Sequence, residues 1–275
     1  MVIPNVSEGT PFKIALNEVT KIYTTRTGPL LALDRFSAEI GEGEFVCVVG
    51  PSGCGKTTLL WAMTGLHPVT SGVILMAGQP VTGPRPEIGI VFQEANLLPW
   101  RTVQKNIEFP FEIRRIPASA HRSEIQSLLD LVGLSGFSSK YPRELSGGMQ
   151  QRVSIVRALA QNPSVLLMDE PFGALDAFTR DEMNLLLLKT WSSNRKTIVF
   201  VTHSIPEAVF LGDRIFAMSP RPGRLAKEFR VSLPRPRTID MMFAPEFTGL
   251  VQEIRASISQ GTPTGEMVIN GNPQG

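Results

Sequence analysis

The sequence predicts an α/β fold, and three observations carry that prediction. Short β-branched runs alternate with stretches of helical periodicity, a glycine-rich loop joins one strand to one helix, and a second apolar run ends in two acids. Aliphatic and β-branched runs at 13–23, 36–40, 44–49, 72–76, 88–92, 165–169, 197–202 and 214–218 read as strands, several bounded by glycine or proline. Stretches 56–64, 120–131, 148–160 and 179–192 read as helices; Met149, Val153, Val156 and Ala160 give one of them its spacing. From about residue 94 to residue 161 the pattern is helix-rich without a convincing strand, as a helical subdomain inserted into an α/β core would be. After Pro245, the residues Phe247, Leu250, Val251 and Ile254 predict a short amphipathic helix within 236–260. Residues 261–275 offer little to bury and are expected to form a disordered tail.

Composition narrows the class. A chain of 275 residues makes one large domain or two small ones, and 42% hydrophobic with 19% charged residues is the balance of a globular protein. A net charge of +2 gives no single-sign field that would argue for nucleic acid or anionic lipid as the main partner. Two cysteines, Cys47 and Cys54, are too few for a disulfide framework and fit a reducing compartment. The first nine residues, with Pro4, Asn5 and Glu8, lack the apolar core of a secretory signal. No apolar run approaches the roughly 18 to 20 residues that span a bilayer, so a membrane role is expected to come through a partner.

The loop Gly50, Pro51, Ser52, Gly53, Cys54, Gly55, Lys56, Thr57 fits G-x-x-x-x-G-K-[ST] between a predicted strand and a predicted helix. Glycines let successive amides turn toward an anion, and the helix adds its positive end. In that pattern Lys56 reaches β- and γ-phosphates, Thr57 offers a hydroxyl to Mg²⁺ and Thr58 supports the α-phosphate side. Alone, the loop indicates a nucleotide-binding protein and no more. The apolar run 165–168 then ends in Asp169 and Glu170, at the strand edge where open α/β sheets bind ligands. Asp169 suits a magnesium shell; Glu170 can polarise an attacking water as general base.

Downstream of the loop, Leu145, Ser146, Gly147, Gly148, Met149, Gln150, Gln151 and Arg152 read as a serine N-cap and two glycines opening a helix, a second anion site. With this octet the chain resembles the ABC ATPases, whose signature is LSGGQ-like; Met149 stands where the commonest form has Gln. The resemblance covers about residues 11–235. It implies a P-loop NTPase core with an antiparallel β subdomain and the helical insertion at about 94–161. It also implies a glutamine loop at Gln93, which serves catalysis and the metal, a D-loop ending at Asp176, a switch histidine at His203 that senses the γ-phosphate, and Tyr23 stacking on adenine. It further implies ATP and Mg²⁺, and a head-to-tail homodimer in which Ser146, Gly147 and Gly148 of one copy complete the site at Lys56 of the other.

One motif set, with no span and no second cassette, favours a separate transport subunit at the cytoplasmic face of the membrane. Its partners would be permease subunits and, indirectly, an extracytoplasmic solute-binding protein; no nucleic acid is expected. The stretches 92–100 and 218–224 resemble the nitrate, sulfonate and taurine importer group. The run His203, Ser204, Ile205, Pro206, Glu207, Ala208 departs from the commoner His-Asp form. Importers of pyrimidine or thiamine-precursor compounds share it, so they remain an alternative, as does a non-transport ABC ATPase.

Overall fold

The computed structural model of the protein describes residues 12–260, Ala174 excepted. Pro11, Ala174 of the expected D-loop and the tail expected at 261–275 lie outside the described residues. Two sheets organise the chain. The first is antiparallel, in the order β2-β1-β4-β5, from β1 (Phe12–Thr25), β2 (Gly28–Gly41), β4 (Ser71–Met76) and β5 (Gln79–Pro80). The second has six strands in the order β10-β9-β3-β8-β7-β6. Its members are β3 (Phe45–Val49), β6 (Ile88–Val91), β7 (Val165–Asp169), β8 (Thr197–Val201), β9 (Arg214–Met218) and β10 (Leu225–Arg230). The first five of these run parallel, and β10 returns antiparallel along β9.

Period-two alternation in β3 explains why this sheet is central. Phe45, Cys47 and Val49 pack into the core on one face, whereas Val46 and Val48 pack on the other, and all five are buried. The first face meets α5 (Ala177–Asn194), α6 (Ile205–Leu211) and α7 (Pro245–Gln260). The second meets α1 (Lys56–Thr64) and the antiparallel sheet. A third cluster joins α2 (Val103–Ile113), α3 (Arg122–Leu131) and α4 (Gly147–Leu159) through Ile107, Ile125, Leu129 and Val153. No strand lies between residues 92 and 164 among those described.

Several elements differ from their sequence expectation. Strand β2 runs 14 residues instead of the five at 36–40. Gly28 and Pro29 read as breakers, yet they open an edge strand at a hairpin, where a missing N–H costs no ladder bond. Helix α2 escapes the sequence reading because Pro110 lies inside it. The helix at 120–131 begins as a 3₁₀ turn, Ala118–His121, before α3. The last helix is 16 residues long rather than short. Strand β10 and the seven-residue α6 carry too little periodicity to show in sequence.

Candidate functional site

The carboxyl ends of the parallel strands gather the candidate residues. The loop after β3 feeds directly into α1, whose first residue is Lys56. Gly55 precedes it at φ 106, where a Cβ would lie 2.9 Å from the Ala32 carbonyl oxygen, so both backbone angle and space demand glycine. Lys56 is buried, and its ammonium donates to the carbonyls of Gly50 at 3.0 Å and Pro51 at 3.2 Å. Cys54 points inward beneath the loop, and burial pushes its thiol up from the ordinary value, which leaves it inert.

Across the sheet, β7 delivers Asp169 to α1: the Thr57 hydroxyl donates to Asp169 Oδ1 at 3.2 Å. Asp169 is buried, and burial is the main reason its carboxyl titrates above the usual range. Its hydrogen bond among the described residues comes from a neutral hydroxyl and the Lys56 ammonium acts on it only through space, so a carboxylate and a hydroxyl oxygen stand together as a donor set that fits a hard divalent cation. Glu170 follows at φ 43, a left-handed backbone rare for a residue with a side chain. Its N–H donates to the Val201 carbonyl at 2.9 Å, which holds the unusual backbone, and Oε2 lies 3.0 Å from His203 Nδ1. His203 itself is largely exposed at the end of β8.

A cleft of about 510 Å³ brings Tyr23, Ser52, Gly53, Lys56, Thr57, Thr58, Gln93 and Glu170 together. At its β1 end the Tyr23 hydroxyl lies 3.1 Å from His67 Nδ1, and the His67 ring in turn packs on Trp61 of α1 at 4.6 Å. The tyrosine ring is thereby tied to α1, with the Lys21 ammonium 4.9 Å from its centroid.

The single chain does not bring every predicted residue to this cleft. Ser146 caps α4 by accepting from the Met149 N–H at 3.3 Å, with Gly147 and Gly148 following it. Asp176 caps α5 through the Thr179 N–H and hydroxyl at 3.0 and 2.7 Å. None of the four lines the cleft. Helix α4 is nevertheless tied to the loop carrying Gln93. Gln151 donates to the Phe92 carbonyl at 3.0 Å, and Arg157 to those of Ala95 and Asn96, each at 2.9 Å. These two grips, His67 and the cleft residue Arg221 escaped the sequence reading. Gln151 and Arg221 lie within the distinctive stretches 145–152 and 218–224; for His67 and Arg157 the sequence offers no local signal.

A family model described as ABC transporter matches residues 33–173. The chain belongs to this family. Among curated relatives it is 42% identical to the nitrate import ATP-binding protein NrtD of Synechocystis, covering 92% of this chain and 97% of that one. It is 40% identical to the aliphatic sulfonates import ATP-binding protein SsuB of Bacillus cereus, over 93% and 98%. An ATP-binding cassette solved as a dimer in a post-hydrolysis state, bound to ADP and Pi, superposes with a TM-score of 0.72 at 34% identity, covering 80% of this chain and all of that one. The α/β architecture is thus that of an ABC ATPase, and ATP hydrolysis is the activity the chain shares with its family.

Proposed function

We propose that the chain is the ATP-hydrolysing subunit of an importer for a small solute of the nitrate, sulfonate or taurine type. One arrangement carries the reading: Lys56, Thr57, Gln93 and Glu170 share a single cleft, and hydrogen bonds of 3.2 and 3.0 Å tie in Asp169 and His203. On nucleotide entry Lys56 exchanges the Gly50 and Pro51 carbonyls for β- and γ-phosphate oxygens, while loop amides and the start of α1 stabilise their charge. Tyr23 stacks on the base. Thr57, Asp169 and Gln93 would hold Mg²⁺, which when bound would supply charge neutralisation to the phosphates. Glu170, positioned by its fixed backbone, orients a water and accepts its proton as the water oxygen bonds to the γ-phosphorus and the bond to ADP breaks. With His203 Nδ1 held on Glu170, the ring's other nitrogen would remain available to the γ-phosphate.

Since Ser146, Gly147, Gly148 and Asp176 lie outside the cleft, a second copy arranged head to tail is needed to complete it, consistent with the dimeric relative. Closure on ATP and release on hydrolysis would then move α4, and with it the Gln93 loop that Gln151 and Arg157 grip. In the same loop Trp100 is 70% exposed, an aromatic side chain available to permease subunits. No helix among the described residues is long and apolar enough to cross a membrane, which fits a subunit held peripherally at the cytoplasmic face by that permease. Ser204, the departure from the His-Asp form, caps α6 by accepting from the Glu207 N–H at 3.3 Å. Asp would cap equally well, so helix capping does not distinguish the two forms.

Glu170→Gln tests the chemistry: ATP binding is retained while steady-state turnover falls by about 10² to 10⁴. Unchanged turnover would refute the general-base role. For the importer reading, the subunit should co-purify with a multi-span permease and its ATPase should rise with a solute-loaded binding protein; no stimulation by nitrate, sulfonate or taurine would overturn the solute class.

A further inference from the structure

We infer that Arg221 is a second cationic phosphate ligand of the cleft, one that reaches the bound nucleotide from a turn outside the glycine-rich loop. The inference rests on the nucleotide reading of that cleft. Arg221 lines it together with Lys56 and Gln93, and the space beside Gly53 opens onto its guanidinium: a Cβ built there would lie 3.5 Å from Arg221 Nη2. Among the described residues its side chain has no hydrogen bond and no ion pair, and it is exposed. An unpaired guanidinium on an ordinary surface is merely solvated, so what matters here is how firmly this one is placed.

The turn that carries it has little freedom. The Ser219 hydroxyl lies 3.0 Å from both the Pro220 and the Pro222 carbonyls and accepts from the Arg224 N–H at 3.0 Å. The Ser219 N–H donates to the Arg224 carbonyl at 3.0 Å and closes the turn. Gly223 then docks the turn on β2: its N–H donates to the Ala32 carbonyl at 2.9 Å and its carbonyl accepts from the Asp34 N–H at 3.0 Å. A side chain at 223 would overlap the Cys54 carbonyl, so the turn also abuts the phosphate loop directly. Arg224 is taken up by Asp34, with Nε to Oδ2 at 2.9 Å. Of the turn's two arginines, one locks it to β2 and the other is left facing the cleft.

Chemistry selects the phosphates over the base. A guanidinium presents a planar fork of donors that matches phosphate oxygens bidentately, and Arg221 stands beside the Gly53 end of the loop whose amides cradle them. Lys56 supplies a point charge from the floor of the cleft; Arg221 supplies a directional pair from its rim.

The test is calorimetric titration of the full chain with Mg-ADP and with AMP, for wild type, Arg221→Met, Arg221→Lys and Lys56→Ala. Arg221→Met should weaken ADP by about tenfold, AMP by less than about twofold, with Arg221→Lys between wild type and Met for ADP. Because the side chain makes no internal bond, the melting temperature of the Met variant should match wild type, so that a folding defect would be seen separately. Unchanged ADP affinity, or equal losses for ADP and AMP, would overturn the inference while a weakened Lys56→Ala left the nucleotide site standing. A Lys56→Ala variant that bound ADP like wild type would overturn the site, and the inference with it.

Discussion

Asn106→Ala should uncouple the chain from its membrane partner while sparing the basal ATPase. Asn106 is fully buried on α2, and its side-chain oxygen accepts from the Leu98 N–H at 2.7 Å. Its amide donates to the carbonyls of Leu98, Arg101 and Thr102 at 3.0 to 3.1 Å. Truncation does not orphan all four groups. The Leu98 carbonyl still accepts from the Arg101 N–H at 3.1 Å, and the Thr102 carbonyl from the Asn106 N–H at 2.8 Å. The Leu98 N–H and the Arg101 carbonyl are left. Each stranded group costs about 1 to 3 kcal/mol. Leu98 is only half-buried, so water reaches part of this loop and about 2 to 3 kcal/mol in total is the better figure. At about 2 to 4 °C per kcal/mol, the melting temperature should fall by about 4 to 12 °C. The loss concentrates in the 98–102 end of the loop, which carries Trp100 and, unlike Gln93 at the other end, does not line the nucleotide cleft. Basal ATPase at 25 °C should therefore persist, while stimulation by the reconstituted permease and loaded binding protein should collapse. An unchanged melting temperature would refute the hydrogen-bond reasoning; intact stimulation in a destabilised variant would refute the role of the loop.

Two further outcomes are expected. Arg237→Ala should lower the melting temperature by more than an exposed arginine would, because the buried Arg237 Nη1 donates to the carbonyls of Val209, Phe210 and Gly212 at the end of α6, at 2.8 to 3.1 Å. Burial lowers this guanidinium to about 10, and a thermal melt indistinguishable from wild type would show that the cap contributes nothing. Glu207→Gln should become the more stable protein, relative to wild type, as pH rises. Burial is the main force raising the Glu207 carboxyl above 4.5, against the Thr202 hydroxyl, Arg180 and His203, which lower it. A raised value means that the stability drawn from the protonated acid is full below about pH 4.5 and is lost as pH climbs through the raised value. Melts of both proteins at pH 5 and pH 8 whose difference does not change would contradict this.

The parts legible in the sequence are those whose chemistry is local. The loop at 50–57 declares itself because an anion cradle needs glycines, a lysine and a hydroxyl at fixed spacing, and β7 because five buried apolar and acidic residues run without interruption. What stays hidden depends on long-range contacts. His67 reaches the cleft through the Tyr23 hydroxyl 44 positions away, and Arg157 grips carbonyls more than 60 positions upstream. Pro110 conceals α2 because the helix rests on tertiary support from Asn106 and the third core cluster, and propensity cannot express that.

The same contrast bears on how the subunit works. Residues of the proposed nucleotide cleft are fixed by backbone: Gly55 by its positive φ, Glu170 by the N–H bonded across to Val201 of the neighbouring strand. In the proposed cycle the state of the cleft would be transmitted through side-chain bonds to distant carbonyls, those of Gln151 and Arg157 on the Gln93 loop. Each such bond is worth about 0.5 to 1.5 kcal/mol net, and up to about 3 kcal/mol where the guanidinium is charged. That is small enough to exchange partners within one catalytic cycle and, summed over three bonds, large enough to carry the Gln93 loop along with α4. A chemically rigid site joined to its neighbours by a few exchangeable bonds can hydrolyse ATP with its geometry preserved while the signature helix moves.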